Sequence, residues 1–237
     1  MRLVASALGA LALAGCGRGP DEAVTVFAAA SLTEAFRALH PAVRFNFAGS
    51  DELATQIREG ARADVYAAAS PRYAADLHEE GLVEAPRTFA TNRLVVVVPA
   101  DNPAGIGSVD ELATPGTQVL IGGRGVPVGD YARAALASAG LEAVLRNVVS
   151  NEEDVRGVLA KVAAGDADAG FVYATDAKAA AGRVRVVELP AAAQVEIRYP
   201  IAVVADARDA EAARAFVALV LGERGRRALA RAGFGLP

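Results

Sequence analysis

The stretch from Val24 to Phe36, VTVFAAASLTEAF, decides how the fold is read. It begins as a β-branched and aromatic run, passes through Ala28, Ala29 and Ala30, and reaches Ser31 where helix-forming residues start. A strand that hands over directly to a helix is the first half of a βα unit. Small residues at the handover permit tight backbone packing, or a ligand that touches the backbone. Ser31-Leu32-Thr33-Glu34 also spells a capping box, with the Ser accepting from the N–H three residues on and Glu34 reaching back. That accounts for Ser31 structurally, and Ser108-Val109-Asp110-Glu111 repeats the pattern in what reads as a surface loop.

Outward from this junction the alternation continues. Strand-like runs at 24–27, 43–47, 65–68, 93–99, from 117, 170–173, from 183 and 196–204 interleave with helical runs. The helical runs fall at 32–39, 52–59, 71 to about 80, 131–139, 155–163 and from about 210. Short Gly/Asp/Ser junctions separate them, which predicts an α/β fold with mostly parallel sheets flanked by helices. The long apolar strands at 93–98 and 199–204 each carry a Pro at one end and suit the crossovers of a two-lobed protein. Ser31 then sits at the carboxyl edge of a parallel sheet, where open α/β proteins bind ligands. Free N–H groups and helix dipoles at that edge favour an anion without any cation.

Four further places share this design. FNFAGSDELATQI runs from a strand through Ala48-Gly49-Ser50 into a helix, with Asp51 and Glu52 favouring the helix dipole. Two such adjacent units put Ser31 and Ser50 side by side. In GRGVPVGDYARAAL, Val128 and Gly129 offer bare N–H groups at a helix start, and in SNEEDVRGVLAKV acids precede Val155, which taken alone reads as helix-dipole complementation and carries no functional weight. GFVYATDA ends a buried strand at Tyr173, whose hydroxyl can donate to a ligand.

Composition narrows the function. With 237 residues, 53% hydrophobic, a sizeable core is expected. The net charge is −4 and Lys161 and Lys178 are the only lysines, so no basic run of the nucleic-acid-binding kind exists. A serine hydrolase needs a base, and the only histidines, His40 and His78, lie away from the sheet edges; FAGSDE also lacks the closing Gly of a nucleophile elbow. The chain therefore reads as a binding protein and not an enzyme, with no cofactor. At the N-terminus, Met1-Arg2 and the apolar stretch Leu3 to Leu13 end in Leu13-Ala14-Gly15-Cys16. This resembles a lipobox, in which residues 1–15 are a signal peptide, the lone cysteine Cys16 is lipidated, and residues 16–22 tether the protein to the extracytoplasmic face of the cell membrane.

From about residue 23 to the end, the chain resembles the molybdate-binding proteins of bacterial ABC importers. The resemblance rests on VTVFAAASL, GSDELATQI, GARADVYAAAS, RLVVVVP, VPVGDYARAAL, EDVRGVLAKV, GFVYATDA and YPIAVV, in family order. It implies the two-lobed type II periplasmic-binding fold, with residues 23–92 and 199–237 as lobe I, 93–198 as lobe II, and the ligand in the cleft between them. It further implies that a molybdate or tungstate oxyanion is held by the hydroxyls and N–H groups of Ser31 and Ser50, the N–H groups of Val128 and Val155, and the Tyr173 hydroxyl. The metal is thus held as its oxyanion, and a monomer is expected to deliver it to an ABC permease. Asp51 departs from the family, whose members often carry a small or hydroxyl residue there. Phosphate keeps a proton near neutral pH and gains from a carboxylate acceptor. An Asp51 facing the cleft would therefore favour a receptor for phosphate or another tetrahedral oxyanion such as sulfate, and one facing out would favour molybdate or tungstate.

Overall fold

The structure, a computed structural model, describes residues 23–237; the expected signal peptide, Cys16 and the expected tether lie outside the described residues. The chain opens with β1 (Thr25–Ala29), α1 (Thr33–Leu39), β2 (Arg44–Ala48), α2 (Ser50–Arg58), β3 (Val65–Ala67) and α3 (Pro71–Glu79). Apolar residues of these helices recur at three- and four-residue spacing: Leu53, Ala54 and Ile57 of α2, and Tyr73, Ala74 and Leu77 of α3, are all buried. Then come β4 (Arg87–Asn92) and β5 (Leu94–Pro99), separated by Arg93 alone.

The second half adds β6 (Val119–Gly122), α4 (Pro127–Ser138), β7 (Val148–Glu152), α5 (Val155–Ala164), β8 (Ala169–Tyr173), α6 (Ala174–Ala179) and β9 (Val184–Val187). The chain ends with β10 (Ile197–Val203), α7 (Ala210–Leu221) and α8 (Glu223–Ala232). Two five-stranded sheets result, ordered β2-β1-β3-β10-β4 and β7-β6-β8-β5-β9. In each, three parallel strands are followed by a strand that runs against them and by an antiparallel edge strand. The sheets are therefore more mixed than the alternation of strand and helix suggests. A strand inserted from the far end of the chain, as β10 is, arrives without a crossover helix to make it parallel.

The crossing from one sheet to the other falls at Arg93, and β10 returns the chain to the first sheet. Backbone bonds between Thr91 and Gly235 (2.8 and 3.0 Å) then fasten the C-terminal segment to β4. Behind the first sheet, Phe36 packs its ring against Phe45, Phe89 and Phe216 with centroids 5.8–6.1 Å apart, tying α1 and α7 to the strands. In the second sheet Gly170 lets α5 lie directly on β8. A Cβ there would stand 2.5 Å from Val158 and 2.9 Å from Val162. Both sheets thus hold their parallel strands rigidly, with the carboxyl ends free to build a site.

Candidate functional site

Parallel register sets the first wall. Ala29 of β1 pairs with Ala48 of β2, so two residues further on Ser31 and Ser50 stand next to each other. Ser50 is the first residue of α2, and Gly49 rather than Ser50 is the N-cap. Its Oγ accepts the Ala69 N–H at 3.0 Å, while its carbonyl accepts the Tyr66 hydroxyl at 2.7 Å. With an N–H already feeding its oxygen, the Ser50 hydroxyl proton is left for a ligand.

Ser31 is not the cap that the sequence suggests. A short 3-10 turn, Ala30–Leu32, precedes α1 and places Ser31 inside a turn, so α1 has no side-chain cap. Thr33 Oγ1 donates to the Ala30 carbonyl at 2.7 Å, and Glu34 instead faces Arg156 of α5 at 3.4 Å. Ser31 Oγ lies 2.9 Å from the Tyr199 hydroxyl. The look-alike at Ser108 does form the returning half of a capping box, Glu111 accepting from Gly107 N–H at 2.7 Å and Ser108 N–H at 3.3 Å.

The second sheet supplies the facing wall. Pro127 opens α4, so Val128 is its second residue and carries one of the first-turn N–H groups that have no intrahelical acceptor. The approach of α4 to β6 is closer than any side chain permits: a Cβ on Gly129 would stand 2.0 Å from the Gly122 carbonyl oxygen. Val155 opens α5, whose cap is Asp154; that carboxylate accepts from Arg156 and Gly157 N–H at 2.8 and 2.9 Å and leaves the Val155 N–H outside the cap. Tyr173 closes β8.

These elements meet at one cavity of about 20 Å³, lined by Ser31, Ser50, Val128, Val155 and Tyr173 together with Ala29, Ala30, Ala48, Gly49 and Ala69. All five residues singled out in the sequence are brought together there. The space is of the order of one or two water-sized spheres, which suits a compact ion and not a sugar or an amino acid. No Lys or Arg lines it, and its one carboxylate, Asp154, is engaged with its own helix. Tyr173 is 2% exposed, and its hydroxyl is buried with no hydrogen-bond partner. Burial pushes that hydroxyl well above its usual range, helped by neighbouring Tyr199 and Tyr131 and the acids Asp176 and Asp130, so it keeps its proton. An unmet buried hydroxyl costs about 1–3 kcal/mol, and an incoming acceptor removes that cost.

Asp51 does not line the cavity. It lines an adjoining groove with Glu52, Gln56, Asn151 and Glu153, and burial, with backbone bonds opposing, raises its carboxyl above the usual range. Neither histidine lines the cavity; His78 Nδ1 lies 3.0 Å from the Val83 carbonyl. Sequence reasoning missed three residues behind the first wall: Asn92, Tyr199 and Asp176. Asn92 Nδ2 reaches Tyr199 Oη at 3.3 Å and Thr175 Oγ1 of α6 at 2.9 Å. Asp176 lies in a groove shared with Ser31, Arg156 and Lys178, and burial lifts its carboxyl to about 7. YPIAVV marks Tyr199 as strand, and nothing in the local sequence reveals that its hydroxyl meets Ser31, 168 residues earlier.

Residues 24–235 match the family model described as bacterial extracellular solute-binding protein. The molybdate-binding protein ModA of Mycobacterium tuberculosis (strain ATCC 25618 / H37Rv) is 41% identical over 232 residues, covering 92% of this chain and 88% of its own. Among solved structures, the periplasmic molybdate-binding protein of Azotobacter vinelandii superposes with a TM-score of 0.81 at 21% identity, over 90% of this chain and 99% of that one. The sulfate-binding protein SubI of M. tuberculosis H37Rv superposes with a TM-score of 0.79 at 22% identity, over 90% and 86% of the two chains. These last two share the fold. The family match and the relative at 41% identity carry more, and the chain belongs to the bacterial extracellular solute-binding proteins, in the two-lobed periplasmic-binding fold.

Proposed function

We propose that the cavity captures a fully deprotonated tetrahedral oxyanion, molybdate or tungstate, for delivery to an ABC importer. The observation that carries this reading is the Tyr173 hydroxyl, buried and unpartnered in a cavity whose other polar groups are hydroxyls, helix-start N–H groups and the Asp154 carboxylate that caps α5. Such a wall offers donors and no free carboxylate, which matches a dianion with no proton to give. Ser31 and Ser50 donate through their hydroxyls, Val128 and Val155 through backbone N–H, and Tyr173 through its phenol. Bonds of neutral donors to a charged oxygen in a dry site are the strong kind, short and roughly twice a neutral pair. Relatives bearing the molybdate-binding name support the choice of ion. Asp51 turned into the neighbouring groove removes the acceptor that hydrogen phosphate would want. Sulfate carries the same charge, so discrimination rests on size: the smaller sulfate spans the distance between the two walls less well than molybdate or tungstate.

The same reading makes Cys16 a lipid attachment site that holds a monomeric receptor at the outer face of the cell membrane, residues 16–22 acting as its tether. Mass spectrometry of the membrane-bound protein should find Cys16 acylated at a new N-terminus; an unmodified Cys16 would contradict the anchor. For the ligand, titration calorimetry with molybdate, tungstate, sulfate and phosphate is the test. Heat at one ion per chain is expected from the first two, and none from either would overturn the reading.

A further inference from the structure

The hydrogen bonds behind Ser31 have a direction that can be assigned atom by atom. Arg93 N–H is a backbone donor and cannot act otherwise; it bonds Asn92 Oδ1 at 2.9 Å. That fixes the Asn92 amide, so its Nδ2 is the group facing Thr175 Oγ1 at 2.9 Å and Tyr199 Oη at 3.3 Å. Tyr199 Oη therefore accepts from Asn92; either hydroxyl of the Ser31–Tyr199 pair, 2.9 Å apart, can donate, and donation by Tyr199 is the arrangement that leaves no buried Tyr199 proton unpaired. Ser31 Oγ is thereby an acceptor towards Tyr199, and its proton is left to point into the cavity that it lines. The Tyr199 ring is held for this by edge contacts with Phe89, Tyr173 and Phe234 at 6.3, 6.0 and 5.3 Å, and it is 0% exposed. Burial raises the Tyr199 hydroxyl well above its usual range, so the relay does not lose its proton.

We propose that Asn92 and Tyr199 are positioning residues that make Ser31 an obligate donor, and that this is how the cavity discriminates against oxyanions still carrying a proton. The inference rests on the oxyanion reading above and adds its specificity device. A protonated oxyanion, hydrogen phosphate for instance, needs an acceptor for its own O–H. A free serine could turn and accept it; a serine fed by Tyr199 presents its proton instead. Ser50 is fed in the same sense by the Ala69 N–H. Both serines thus meet a ligand oxygen proton-first, and a ligand proton would oppose one of them. Each link of the chain also polarises the next, which strengthens the terminal donor.

Two variants test the direction itself, with molybdate and phosphate as calorimetric probes at pH 7 and thermal melting as the control for folding. Tyr199→Phe keeps the ring and removes the relay. Molybdate affinity should fall roughly fivefold, the worth of one ordinary hydrogen bond, and phosphate affinity should fall less or rise, so their ratio narrows. Asn92→Asp turns the relay round. A carboxylate accepts from both Arg93 N–H and Tyr199 O–H, so Tyr199 Oη accepts a hydrogen bond from the Ser31 hydroxyl and Ser31 meets the ion with a lone pair. The added charge is separated by the double variant Asn92→Asp with Tyr199→Phe, which keeps the charge and lacks the relay. Weaker molybdate binding in Asn92→Asp than in the double variant is expected. An unchanged molybdate-to-phosphate ratio in Tyr199→Phe, or equal binding by the single and double Asp variants, would overturn the inference while leaving the oxyanion site intact. A wild-type protein that binds none of the oxyanions would remove the site's reading and this inference together.

Discussion

Ser31 and Ser50 occupy matching ends of neighbouring parallel strands, yet they are held in different ways. The Ser50 oxygen is fed by a backbone N–H just past β3 of its own sheet, at Ala69. The Ser31 oxygen is fed by a side-chain relay that starts at the crossing between the sheets and also touches Thr175 of α6, the helix that follows β8 of the second sheet. One serine is wired into its own sheet. The other depends on how β4, β10 and α6 sit together, so its donor strength is conditional on the arrangement of the two halves. Identical residue types at equivalent strand ends can therefore carry different sensitivities.

That comparison can be broken most severely from the facing wall. Gly129→Ala puts a methyl group 2.0 Å from the Gly122 carbonyl oxygen, a backbone collision that no rotamer relieves. It should destabilise the protein by about 3 kcal/mol or more and abolish ion binding, as melting and calorimetry would report. Ser50→Ala comes next, because it removes a ligand donor and strands the buried Ala69 N–H. Binding should weaken by about 1.5–3 kcal/mol and the ligand-free protein by a further 1–3 kcal/mol. Ser31→Ala should cost the same in binding but less in ligand-free stability, since Tyr199 Oη keeps its bond from Asn92 Nδ2 at 3.3 Å whereas the Ala69 N–H loses the Ser50 oxygen that accepts it. Equal melting temperatures for the two alanine variants would erase the distinction.

A further effect concerns pH: burial raises the carboxyl of Asp51, beside Ser50, as well, and the larger shift is on the Ser31 side. Asp176, buried in the groove that Ser31 shares, has its carboxyl lifted to about 7 by burial, from 3.8. Between those values the folded protein holds a proton that the unfolded chain has lost. The stabilising contribution is therefore full below about pH 4 and is lost as pH rises through about 7. Melting temperature should fall with pH over that window, and Asp176→Asn should flatten the fall. A wild-type and variant pair with parallel pH profiles would remove Asp176 from the account.

Much of this was legible in the sequence because the signals were local. Strand-to-helix handovers rich in Ala and Gly marked the sheet edges, and the apolar runs marked the buried strands. β4 and β7 escaped because they are edge strands: RTFATN and VVSNE hold few aliphatic residues, and Val149 is exposed. The capping-box reading of Ser31 failed because a 3-10 turn and a local capping box use the same residue types, and tertiary contact with Tyr199 decides between them. Tyr199 and Asn92 stayed hidden for the same reason. Their role exists only once β10 returns to the first sheet. The cavity residues follow from local motifs, whereas the groups that aim them follow from topology.

The central claim is that Ser31, Ser50, Val128, Val155 and Tyr173 form one donor-only oxyanion site. Anomalous scattering at the molybdenum edge, from crystals of the protein grown with molybdate, tests it most directly. A single strong peak within hydrogen-bonding reach of those five residues is expected. A peak in the Arg156–Lys178 groove, or no peak in the cavity, would contradict it.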